Sequence, residues 1–87
     1  MYSTPYCPYC TMAKRLLKQE QIPFEEIDVA GDNELRRWLL TATGQRTVPQ
    51  IFINGRSIGG FDELSALTRR GKLPELLAQA PIPIPGA

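Results

Sequence analysis

Two residues in this sequence have side chains that can exchange electrons. They are Cys7 and Cys10, three positions apart in "PYCPYCTMAKRLL", and the chain holds no other cysteine. Three uses fit such a pair: a structural disulfide, half of a metal site, or a redox couple. A disulfide closing so short a loop stabilises little, because the gain grows with loop length. A structural zinc needs four ligands, and the sequence offers two cysteines and no histidine. The missing histidine also removes Cys–His nucleophilic catalysis. A redox couple and a pair of inert buried thiols remain open.

The local sequence makes the pair unequal. With Cys7 at a helix N-cap and Pro8 at the first helical position, the ring costs no hydrogen bond and presets φ. The free N–H groups of Tyr9 and Cys10 then point at the Cys7 sulfur, and with the positive helix end they favour a thiolate there. Cys10, one turn inside, is expected to stay a thiol. Cys7 would attack and Cys10 would resolve. At i and i+3 the pair also approaches the Cα separation of about 5.5–6 Å that a disulfide prefers.

The rest of the chain must position that turn. Tyr9, Ala13, Leu16 and Leu17 recur at helical spacing until Ile22-Pro23 breaks the pattern. "FEEIDV" (Phe24 to Val29) reads as a strand. Asp32 caps a second helix through Leu35, Trp38, Leu39 and Ala42, ended by Gly44. Gln50 to Ile53 and Arg56 to Ile58 are strands joined by Asn54-Gly55, a preferred hairpin turn. Gly59-Gly60 closes the hairpin and leads into a third helix, "FDELSALTRRG", with Leu64 and Leu67 inward. Pro74 opens a last short helix at its first position. The alternation predicts helices on both faces of a small mixed sheet.

Composition sets bounds. Eighty-seven residues predict one domain, spanning 1–80, with a flexible proline-rich tail at 81–87. Ten Lys plus Arg against nine Asp plus Glu argue against a nucleic-acid footprint. No run approaches the roughly 18 apolar residues of a membrane span, so no membrane partner is expected. With no signal-peptide pattern, a cytoplasmic protein is expected.

Three stretches in order, "CPYC" at a helix start, "TVPQIFI" at 47–53 and "IGGFDEL" at 58–64, resemble a dithiol glutaredoxin of the thioredoxin superfamily. The resemblance runs from Tyr2 to about Leu77. It implies a thioredoxin-like α/β/α sandwich in three layers, with a mixed four-stranded sheet whose first strand, Met1-Tyr2-Ser3, is short or truncated. It implies a glutathione-dependent thiol–disulfide oxidoreductase, monomeric and without a metal, acting on protein disulfides and glutathionylated proteins. Pro49 would be cis, and the Val48 backbone would pair with the cysteinyl part of glutathione, with Thr47 in the same wall. The N–H groups of Phe61 and Asp62 behind Gly60 would hold the γ-glutamyl carboxylate, and the Asp62 side chain, with Glu63, the ammonium. Arg36 matches a position that reaches the glycyl carboxylate in relatives, and Tyr9 would line the groove.

Plainer readings stand beside these: a strand entrance at Val48-Pro49, a helix N-cap at Asp62, a solvent-facing Arg36 and core packing for Tyr9. Relatives commonly carry lysine where this chain has Thr4; Arg36 or Arg46 would have to compensate. Phe61 stands where several relatives have an extra cysteine. Two rival activities share the Cys-x-x-Cys. One is a redoxin reduced by thioredoxin reductase. The other is a dimer holding a [2Fe–2S] cluster through Cys7 and two glutathiones, which the rigid Pro8 disfavours.

Overall fold

The computed structural model describes residues 1–82. The tail predicted at 81–87 therefore lies outside the described residues from 83 onward. The order is β1 (Tyr2–Ser3), α1 (Pro8–Gln19), β2 (Ile27–Asp28), α2 (Asn33–Thr43), β3 (Ile51–Ile53), β4 (Arg56–Gly59), α3 (Phe61–Arg69) and α4 (Leu73–Ala78). β1 pairs with β2 in parallel, and β3 with β4 antiparallel. A single antiparallel bridge, Tyr2 to Gln50, joins the two ladders. The strands thus run β2–β1–β3–β4, mixed as expected.

Alternation along these short strands builds two cores, one on each face. Met1, Ile51 and Ile53 turn one way and meet Ala13 and Leu17 of α1, Leu64 of α3 and Leu73 of α4. Tyr2 turns the other way, toward Val29 and Leu39, with Trp38, Val48 and Phe52 packed against them. The Tyr2 ring lies 5.5 Å from Trp38 and 5.7 Å from Phe52. Three layers follow: α1, α3 and α4, then the strands, then α2.

Several boundaries differ from the sequence reading. β2 covers Ile27–Asp28 rather than Phe24 to Val29, because a ladder is only as long as its partner and β1 has two residues. Phe24 instead packs against the larger core. Gln50 belongs to the bridge rather than to β3, and β4 reaches Gly59. Pro74 is the second residue of α4, not the first. The buried face of α1 is Cys10, Ala13 and Leu17, while Tyr9 turns out to solvent.

Ile82 is placed against the hairpin. Asn54 and Gly55 both have positive φ, 52° and 82°, as a type I′ turn requires. The Asn54 amide donates to the carbonyls of Leu76, Leu77 and Gln79 at the end of α4. The Ile82 N–H then donates to the Asn54 carbonyl (2.9 Å), and Arg56 donates to Ala80. A proline-rich segment has few donors of its own, and the hairpin supplies the missing partners.

Candidate functional site

Cys7 is the N-cap of α1, with extended backbone (φ −101°, ψ 113°) and Pro8 behind it. The Cys10 N–H donates to the Cys7 sulfur at 3.2 Å, so the expected cap bond is made by the sulfur itself. The Cys7 thiol in turn donates to the Val48 carbonyl at 3.5 Å. Both cysteines are free thiols.

Cys10 is held differently. It is 1% exposed, and burial pushes its thiol up to about 11, helped by the hydrogen bond with Cys7. A backbone hydrogen bond from Thr4 works in the opposite sense and does not prevail. The two sulfurs are thus held differently: Cys7 sits partly exposed at the helix cap, and Cys10 is buried and kept protonated.

A groove of about 550 Å³ opens beside the pair. Its walls hold eight of the residues singled out above: Tyr9, Thr47, Val48, Pro49, Gly60, Phe61, Asp62 and Glu63. The Val48–Pro49 peptide bond is cis. Because Val48 lines the groove and accepts from Cys7, the groove and the sulfur meet at one residue. Tyr9 is 57% exposed, and its ring lies 6.4 Å from that of Phe61 across the wall.

The glycines shape the far wall. Gly59 has φ +102°, and a side chain there would collide with Glu63. Gly60 is the N-cap of α3, and a Cβ on it would sit 3.2 Å from the Pro49 carbonyl. Glycine therefore lets the start of α3 close against the Val48-Pro49 wall. The cap position falls to Gly60, so Asp62 is not an N-cap; it is the exposed second residue of α3, with its carboxylate at the positive helix end.

Among the residues predicted to bind glutathione, Arg36 does not line this groove. It lies in a neighbouring depression with Arg37, Leu40 and Arg46, and Arg46 lines both. Sequence reasoning missed Gln45 as a groove residue, and it missed Gln50. Gln50 is fully buried, and its side-chain amide donates to the Gln45 side chain and the Thr47 carbonyl, fixing the loop before Val48. Nothing local marks a glutamine as buried. The one available signal was its place within the "TVPQIFI" stretch.

A glutaredoxin family model matches residues 1–58, which include the cysteine pair and the Val48-Pro49 wall. The chain belongs to the glutaredoxin family. A glutaredoxin of Pseudomonas aeruginosa is 47% identical over 78 residues, covering 90% of this chain and 93% of that protein. Glutaredoxin 3 of Escherichia coli K12 is 43% identical over 77 residues, covering 88% and 93%. The crystal structure of the buckwheat glutaredoxin–glutathione complex superposes with a TM-score of 0.81 at 38% identity, over 87% of this chain and 72% of that one. Glutaredoxin membership carries thiol–disulfide oxidoreductase activity and the thioredoxin-like fold with it. No group of three or more metal-ligating side chains gathers among the described residues, and no helix of theirs is long and apolar enough to cross a membrane.

Proposed function

We infer that this glutaredoxin uses glutathione to reduce protein disulfides and glutathionylated thiols through Cys7 and Cys10. The observation that carries the reading is the groove that meets the Cys7 sulfur at Val48, between the Thr47–Pro49 wall and the start of α3. A tripeptide laid in it has what it needs. Val48 offers backbone for strand-like pairing. The helix start behind Gly60 offers N–H groups to a carboxylate. Asp62 and Glu63 offer charge to an ammonium, and Arg46, shared with the depression that holds Arg36, offers charge to the second carboxylate.

In this reading the Cys7 thiolate attacks the glutathione sulfur of a protein–glutathione disulfide. A Cys7–glutathione disulfide forms and the protein leaves as its thiolate. A second glutathione thiolate attacks that bond, leaving as glutathione disulfide and restoring Cys7. On a protein disulfide, Cys7 first attacks one protein sulfur to form a mixed disulfide, and the protein's S–S bond breaks as its other sulfur leaves as a thiolate. Cys10 then loses its proton, closes on Cys7 and releases the second protein thiol. Two glutathiones reopen the pair.

The test supplies electrons from two sources. With NADPH, glutathione reductase and glutathione, the oxidised protein is expected to turn over a glutathionylated peptide continuously. With NADPH and thioredoxin reductase alone, it is expected to stay oxidised. Rapid reduction in the second mixture, and none in the first, would overturn the reading.

A further inference from the structure

The groove accounts for one side of the Cys7 sulfur. Outside it, the nearest side chain along the chain is Tyr6, which is 95% exposed and does not line the groove. Of the six large apolar side chains exposed among the described residues, Tyr6, Tyr9 and Met12 fall within residues 6–12, on the loop and first turns that carry Cys7. Tyr9 and Met12, at i and i+3, share a helix face. Half of the exposed large apolar side chains thus lie on the short stretch that carries the nucleophile. Isolated exposed hydrophobic residues are ordinary, but a group of them at one place marks a contact surface.

The chemistry says what must lie there. A disulfide reacts only when one of its sulfurs comes within bonding distance of Cys7. If glutathione fills the groove, the polypeptide half of a glutathionylated protein has to rest outside it, against the residues flanking Cys7. Pro8 follows Cys7 into the helix, and Tyr6, 95% exposed, directly precedes it. Tyrosine supplies a large rigid surface with few rotors to freeze, and a hydroxyl for a backbone partner.

We propose that Tyr6 is a specificity-determining residue that packs against the target polypeptide beside its disulfide, and that it selects targets with an apolar residue next to the reacting cysteine. The proposal rests on the glutathione reading above. The step itself is unchanged: the Cys7–glutathione bond forms, the target's bond to glutathione breaks, and the target leaves as its thiolate.

The test compares two substrates with the full-length wild type, Tyr6→Ala and Tyr6→Phe. One is the mixed disulfide of free cysteine and glutathione, which has no polypeptide to dock. The other is a glutathionylated short peptide with leucine beside the reacting cysteine. Tyr6→Ala is expected to lower kcat/KM for the peptide about tenfold, as loss of one buried aromatic contact does. The small disulfide should change by less than about twofold, and Tyr6→Phe should keep most of the peptide rate. Equal losses on both substrates, or no loss on the peptide, would overturn the proposal. A wild type that turns over neither substrate would overturn the glutathione reading instead.

Discussion

Two thiols three residues apart sit in different environments, because one caps a helix and the other is buried in it. Cys10 offers a check at the residue scale. Its thiol is raised to about 11 by burial, above its ordinary value of 9.0. A group raised in the folded state gives stability that is fully present below its unfolded pKa and lost as pH rises through the folded one. Urea midpoints are therefore expected to fall between pH 9 and 11. The buried Tyr2 phenol, also raised by burial, acts with the same sign from pH 10 upward. The difference between wild type and Cys10→Ala isolates the thiol. Parallel curves for the two proteins would contradict a buried, protonated Cys10. The cap geometry at Cys7 was legible in the sequence because it depends on the adjacent Pro8 and the next turn. Gln50 was not, because its partners Gln45 and Thr47 come together only after the loop has folded over it.

Elements were legible where their stop signals are local. Asp32 and Gly44 bound α2 as expected, with the Asp32 carboxylate accepting from the Leu35 N–H at 3.0 Å. The Asn54-Gly55 turn was equally clear. What that turn does for the last helix was not, since Asn54 reaches residues more than twenty positions away. Gly55 separates the two roles of the turn. At φ +82°, any side chain is strained, and here a Cβ would also collide with the Ile82 carbonyl. Gly31, at φ +75°, has nothing near it. Gly31→Ala is expected to cost about 1 kcal/mol from the conformation alone. Gly55→Ala should cost clearly more, because residue 82 must also move. Chemical denaturation of both variants measures the difference, and equal costs would mean that the segment at 80–82 does not rest on the hairpin.

At the scale of the molecule, the fold brings three distant stretches to one place. The start of α1 carries the sulfurs, the loop before β3 carries Val48 and Pro49, and the end of β4 turns at Gly59-Gly60 into α3. No stretch was decisive alone, but the three in order and at compatible spacings implied the architecture. The reach of each side chain was not, which is why Arg36 falls in the neighbouring depression and Arg46 spans both. Reaction through one sulfur, with the other in reserve, is the central claim. The most direct measurement is steady-state turnover of a glutathionylated peptide by Cys7→Ser and by Cys10→Ser, with mass spectrometry of each protein after reaction. Cys10→Ser is expected to stay active and to carry one glutathione on Cys7, whereas Cys7→Ser is expected to be inactive and unmodified. An active Cys7→Ser protein, or glutathione attached to its Cys10, would contradict the account.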